Sequence, residues 1–230
     1  MTRQGALGIR IHRMADDFSP FPAAVRAGDF IFAPCILNQA AINPRPLDAW
    51  QSRHESRIVL ERLKAVIESA GGAMANVINL LQCFQGRGQT AGYVEERVHH
   101  FRGGVPTSTG TAGTALATPK ALIQLDAVGV VPSPGKALEY IGGTSQAASY
   151  SNAIAYGDLV YFSGIMTSDP KTQPDPTRWF GSAVKSELRF IMQERFAPIA
   201  ASAGCGIGDI AVAHFHLLNP IADLGPFREL

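Results

Sequence analysis

The sequence predicts an α+β protein built as two tandem copies of one small fold, the second copy lacking its last strands. Three observations lead there. The run Ala-Ala-Val-Arg-Ala-Gly-Asp-Phe-Ile-Phe at 23–32 returns at 152–161 as Asn-Ala-Ile-Ala-Tyr-Gly-Asp-Leu-Val-Tyr, which sets Gly28-Asp29 and Gly157-Asp158 more than half the chain apart. That period has the size of a domain and is too long for a solenoid unit. Each copy then reads strand, strand, helix, strand in the same order, and 230 residues at 46% hydrophobic suffice for two small cores.

The elements follow in order. Residues 24–27 and 29–34 read as strands joined at Gly28, and 153–156 with 158–163 repeat them around Gly157, since Gly-Asp between β-prone runs is a hairpin signal. A helix comes next in each copy. Val59, Leu63, Val66, Ile67 and Ala70 recur at helical spacing in the first, and Val184, Leu188, Ile191 and Ile199 do so more loosely in the second. Both runs close at Ala-Gly, with Gly71 and Gly204 as left-handed stops, and Pro198 should kink or loosen the second helix.

Strands are predicted at 76–84 and 209–217, where Gly71 and Gly204 set the copies slightly further apart than Gly28 and Gly157 do, so the second copy carries a short insertion. The loop 167–178, with three prolines, is the place for it. In the first copy a helix at 91–101 precedes strands at 109–116 and 121–131. The second copy begins that helix near Asp223 and has no counterpart of the last two strands, which would leave a sheet edge exposed. The expectation is that the natural protein is longer; cover from another chain is the other reading. Pro132, Pro134, Gly135, Gly142 and Gly143 mark the passage between copies, giving domains at 1–137 and 147–230 with a linker at 138–146.

Composition narrows the partners. With 20 Lys plus Arg against 19 Asp plus Glu, no basic surface is available to hold nucleic acid. Cys35, Cys83 and Cys205 are odd in number and share no metal-like spacing, which suits a reducing compartment, and no apolar run approaches a membrane span. The reading is a cytoplasmic protein without membrane or nucleic-acid partners.

Tyr150-Ser151-Asn152-Ala153, then Gly157 to Gly164 (Gly-Asp-Leu-Val-Tyr-Phe-Ser-Gly), then Asp169-Pro170-Lys171-Thr172 strongly resemble the opening of the RidA (YjgF) family, the reactive intermediate imine deaminases once labelled translation inhibitors or L-PSP endoribonucleases. The resemblance covers both copies and is more specific in the second. It implies a chorismate-mutase-like fold with two helices on one face of a mixed sheet, domains associated in threes as a homo-oligomer, and small-molecule sites in the clefts between neighbours. In deaminating members an Arg after a Pro near the penultimate strand binds the substrate carboxylate, and a Glu on the last strand positions the attacking water. No metal or organic cofactor is implied.

Carried over residue by residue, the first copy departs from that pattern. Val105-Pro106-Thr107-Ser108-Thr109 stands over the Pro-x-Arg run, so Ser108 replaces the Arg, and Leu122-Ile123-Gln124-Leu125-Asp126 stands over the last strand, so Gln124 replaces the Glu. Phe21-Pro22 stand for Tyr-Ser and Pro34-Cys35 for Ser-Gly. The second copy keeps Tyr150, Ser151, Ser163 and Gly164, the substrate-binding candidates along with Ser108; its Arg and Glu positions would lie beyond Leu230.

A neutral hydroxyl does not replace a guanidinium, whose planar fork binds a carboxylate bidentately. Strand alternation puts Ile123, Leu125 and Ala127 on a core face against the helices, and Leu122, Gln124, Asp126 and Val128 on the face turned to a neighbouring domain. Asp126 is the alternative general base beside Gln124, although a strand-edge Asp is more often a structural acceptor. The Thr/Ser/Gly run 106–113 could hold a small anion, with a polar turn as the favoured reading. His214 and His216 share a strand face and read as interface or core histidines rather than metal ligands, while His99 and His100 read as solvated. Cys35 reads as a buried inert thiol.

Two functions stay open: hydrolysis of an imine or enamine of a small amino-acid-like metabolite to its carbonyl compound and ammonia, or a non-catalytic ligand-binding or scaffold module of a RidA-like assembly. Ribonuclease activity is poorly matched by the near-neutral charge.

Overall fold

The computed structural model describes residues 2–4, 9–13, 22–38, 49–102, 104–113, 115–118, 121–142, 150–167, 183–217 and 219–229. Phe21, residues 143–146 of the expected linker, and 168–178 of the proline-rich loop, including 169–172, lie outside them. The chain forms two compact units, Met1–Ser163 and Gly164–Leu230.

The first unit is built on a seven-stranded mixed sheet. Its strands are β1 (Thr2–Gln4), β2 (Arg10–His12), β3 (Ala24–Ala27), β4 (Phe30–Leu37), β5 (Val77–Phe84), β6 (Thr107–Ala112) and β7 (Ile123–Val130), in the order β1-β2-β3-β4-β7-β5-β6. Among the described strands only β5 and β6 pair in parallel, linked by the crossover helix α2 (Thr90–His100); helix α1 (Ala49–Ser69) connects β4 to β5. The α1 residues Val59, Leu63, Val66 and Ile67 are fully buried against Ile31, Leu80, Ile123 and Leu125. The helix stripe and the alternation of β7 thus face each other across one core.

The opposite face of the sheet is covered in part by a second, three-stranded sheet in the order β10-β9-β8, made of β8 (Glu139–Ile141), β9 (Ala153–Tyr156) and β10 (Leu159–Phe162). Ile78, Val130, Ile154 and Tyr156 form the buried centre of this contact, with Phe30, Val128, Tyr140 and Tyr161 packed around it. Full burial of Ile78 and Ile154 contributes on the order of 1.5–3 kcal/mol each. The segment expected as a linker at 138–146 therefore contains a strand. The opening hairpin of the predicted second domain, 147–230, lies inside the first compact unit, because its apolar face finds cover on the back of the first sheet.

The hairpin repeat is geometric as well as textual. In β3–β4, Ala27 pairs with Phe30 and Val25 with Phe32; in β9–β10, Tyr156 pairs with Leu159 and Ile154 with Tyr161, which is the same register at the matching positions. Gly28 and Gly157 both have φ 59, at the first central position of a tight turn where glycine meets no Cβ penalty. Strand β4 runs past the predicted end at Pro34 because a bulge between Ala33 and Ile36 absorbs Pro34 and Cys35.

The second unit holds α3 (Ala183–Phe190), a π-helical turn (Ile191–Phe196), α4 (Ala197–Ser202) and α5 (Pro220–Arg228). Pro198 has no amide for the carbonyl four residues back and its ring crowds that group, so the wider π turn just before it is the loosening expected from sequence. The two helix ends at Gly71 and Gly204 are alike: Gly72 N donates to Ile67 O at 2.9 Å and Cys205 N to Ala200 O at 3.0 Å, and the 3-10 turns Met74–Asn76 and Ile207–Asp209 follow. The helix expected near Asp223 is present as α5, but the strand expected before it is not. Residues 209–217 form no strand, because a strand needs a hydrogen-bonded neighbour and no described segment takes the part that β6 and β7 play beside β5.

Candidate functional site

The site residues expected from sequence fall on two faces of the first sheet. Ser108 lies on β6 opposite Leu80 of β5, and its side chain turns to the helix side, where its Oγ accepts from Arg97 Nη1 at 2.8 Å and donates to Gln82 Oε1 at 2.9 Å. Gln82 is buried and shares its strand face with the helix-side core residues Leu80 and Phe84. Gln124 and Asp126 alternate with Ile123, Leu125 and Ala127 of that core and so lie on the other face, with Val128. The structure does not bring Ser108 together with either of them.

Both polar groups on that far face are engaged locally. Gln124 Oε1 accepts the Ala117 amide at 3.0 Å, and Asp126 Oδ1 accepts the Cys35 amide at 2.6 Å. Cys35 sits in the bulge at φ 55, a left-handed conformation that favours the glycine of the corresponding Ser163-Gly164 pair. Cys35 is exposed at the surface, rather than buried as expected; partial desolvation by its neighbours and then the Asp126 carboxylate push its thiol up, away from a reactive thiolate. Asp126 is thus a structural acceptor that pins a strained bulge.

Ser163 reaches Ser108 directly, and Ser151 is linked to it through Ser163. The Ser108 amide donates to Ser163 Oγ at 2.8 Å, Ser163 Oγ donates to Ser151 O at 2.6 Å, and Ser151 Oγ donates to Val105 O at 2.5 Å. Ser151 and Ser163 are buried, while Tyr150 is 47% exposed and Gly164 is exposed. In the strand around Ser108, Thr107 Oγ1 donates to Ile78 O at 2.8 Å and Thr111 Oγ1 to Gln82 O at 3.4 Å. Leu122 turns to the helix-side core, unlike its expected place on the far face, because it precedes β7 and its amide is held by buried Glu55 at 2.6 Å.

The helices carry what the sequence reading missed. Arg97 of α2, an unassigned residue there, is 3% exposed and lies beside Ser108. Tyr93, Arg97 and Phe101 follow at four-residue steps, an apolar stripe interrupted by a guanidinium, and that spacing is the signal that marks it. Burial pushes the Tyr93 hydroxyl up to about 12 and draws Arg97 down. On the outer side of α2, hydrogen bonding from Arg57 holds buried Glu96 down to about 2, and Arg53 adds to it. His100, expected as solvated, stands 3.7 Å from Glu96 and 3.9 Å from Glu61. His214 and His216 are exposed and off any strand, so they are not core residues.

Among the described residues no group of three His, Cys, Asp or Glu side chains is placed to hold a metal ion, and no helix is long and apolar enough to cross a membrane.

The chain is similar, over about half its length, to solved structures of the YjgF/RidA/UK114 family. A YjgF/YER057c/UK114 member from Mycobacterium tuberculosis is 17% identical, with 54% of this chain and 99% of that one covered at a TM-score of 0.46. A YjgF protein from Neisseria meningitidis is 17% identical, with 56% and 99% covered at 0.46. RidA from an Antarctic Psychrobacter is 17% identical, with 52% and 94% covered at 0.42. No family model and no curated protein matches the sequence.

Proposed function

We propose that this chain is a RidA-type protein whose first sheet unit is a non-catalytic scaffold module of a RidA-like assembly. The carrying observation is the placement of Ser108 and Gln124 on opposite faces of the sheet, each already hydrogen-bonded within the fold. Hydrolysis of an imine adds water to the C=N carbon and releases ammonia and a carbonyl compound. It needs an anchor for the substrate and a group that accepts a proton from the water. A serine hydroxyl carries no charge for a carboxylate, and a carboxamide does not serve as a base at neutral pH.

The far face of the sheet beyond the β8–β10 cover suits contact with another domain, since it carries Phe32, 42% exposed and opposite Val128, on the same face as Gln124 and Asp126. The hydrolytic reading, with Tyr150, Ser151, Ser163 and Gly164 as binding residues, has less support. The hydroxyls of Ser151 and Ser163 are occupied by Val105, Ser151 and Ser108 backbone groups.

The test is release of pyruvate and ammonia from freshly generated 2-aminoacrylate by the whole chain, since a piece ending at 137 would uncover Ile78 and Val130. The rate should equal that without protein. A rate comparable to that of an Arg-bearing family member would sink the proposal.

A further inference from the structure

We propose that a small monovalent anion of halide size is bound in the interior between α2 and β6, held by Nε of Arg97 and the hydroxyl of Tyr93. Arg97 is 3% exposed and Tyr93 1%. The guanidinium gives Nη1 to Ser108 Oγ at 2.8 Å and Nη2 to Pro106 O at 3.2 Å, and its carbon lies 6.0 Å from the Tyr93 ring centre and 5.8 Å from that of Phe101. All four partners are neutral. The acids nearest in sequence, Glu95 and Glu96, are paired with Arg53 and Arg57 of α1, and among the described residues no carboxylate pairs with Arg97.

A guanidinium stays ionised at any physiological pH, so Arg97 brings into the interior a positive charge that no described residue compensates. Buried charges in folded proteins are paired or bound to a counter-ion, because burial without one is costly. Cation–π contact with two rings offsets part of that cost and leaves Nε without an acceptor. Two buried polar groups on this face of α2, Arg97 Nε and Tyr93 Oη, have no hydrogen-bond partner among the described residues, and their residues stand one helical turn apart.

Nε–H only donates, and the Tyr93 hydroxyl can do so. A negatively charged acceptor beside them satisfies both donors and balances the charge, whereas a water would satisfy the donors and leave the charge. The near-complete burial of both residues favours a small monatomic ion over a metabolite carboxylate, which would need a larger opening among them. The anion would join α2 to the start of β6, the place where Ser108 stands. This inference rests on the geometry around Arg97 and holds whether or not the unit is catalytic.

Diffraction at the bromine absorption edge from crystals of the whole chain grown in sodium bromide tests it. The expected result is an anomalous peak within hydrogen-bonding distance of Arg97 Nε and Tyr93 Oη. Bromide at surface positions with none at this place, or an ordinary water there, would overturn the proposal. The variant Tyr93→Phe keeps the ring and its edge contact with Phe84 but removes one donor, and should cut the bromide occupancy by at least half. Unchanged occupancy would remove Tyr93 from the site and contradict the proposal as stated.

Discussion

The Tyr156 hydroxyl donates to Asp29 Oδ2 at 2.7 Å, between residues far apart in the chain, and so ties the turn of the first hairpin to the end of β9. The same hydroxyl accepts the Ser133 amide at 3.0 Å, Ser133 Oγ donates to Asp29 Oδ1 at 2.6 Å, and Lys136 Nζ stands 3.8 Å from Asp29. The clamp is one-directional in the repeat. The position matching Tyr156 in the first hairpin is Ala27, and Asp158, which matches Asp29, is exposed.

Replacing Tyr156 by Phe should lower the denaturation midpoint of the whole chain at neutral pH. Hydrogen bonds from Ser133 and then Tyr156 hold the Asp29 carboxyl below the usual carboxylate range. A lowered folded-state value means the stabilisation is present above the unfolded value and is lost as pH falls through the folded one. Midpoints measured from neutral to acid pH should therefore converge for the two proteins. A constant gap down to the lowest pH would argue against the clamp.

Cys35 gives a second prediction. At φ 55 a residue with a Cβ is strained by about 1 kcal/mol, so Cys35→Gly should stabilise the chain by that order and keep the amide bond to Asp126. Asp126→Ala should do the reverse, leaving the Cys35 amide without its acceptor at about 1 kcal/mol or more. Urea unfolding compares the three, and a destabilised glycine variant would contradict this account of the bulge.

Glu55 is 6% exposed and accepts the amides of Leu122 and Ile123 at 2.6 and 3.4 Å. Burial pushes its carboxyl up, against the pull of those two amides. With the folded value raised, its contribution to stability is fully present below the unfolded value and is lost as pH rises through the folded one. Glu55→Gln keeps an acceptor and should be more stable relative to the parent at pH 7 than at pH 4, while Glu55→Ala should cost about 1–3 kcal/mol at both. The pH dependence of the urea midpoint decides this.

Amide exchange separates residues 210–217 from β7. Residues 210–217 make no strand and Val212 is 73% exposed, whereas Ile123–Val130 is paired on both sides. Exchange over 210–217 should be faster than over β7 by several orders of magnitude, measured at a concentration low enough to exclude association. Equal protection would show that 210–217 is paired in solution.

What the sequence makes legible is what local pattern determines. Gly28-Asp29 and Gly157-Asp158 between β-prone runs mark both hairpins, and the stripe Val59, Leu63, Val66, Ile67 marks the buried face of α1. The short strands β1, β2 and β8 leave no signal, since three residues such as Arg10–His12 are too few for alternation to show. At β6, the Thr-, Ser- and Gly-rich run suggests a turn followed by a strand from 109, whereas the strand starts at Thr107 because parallel pairing with β5 extends it. The face of Ser108 is illegible for a related reason. It is set by a partner, Arg97, that no local pattern connects to it.

The most direct measurement of the central claim is 2-aminoacrylate hydrolysis by the Ser108→Arg, Gln124→Glu double variant of the whole chain, with folding checked by its denaturation midpoint. Because the two side chains leave the sheet on opposite faces, restoring the residue types should not restore a site, and the folded variant should release pyruvate no faster than the parent. Hydrolysis at a rate comparable to an Arg-bearing family member would contradict the account and place both groups around one substrate.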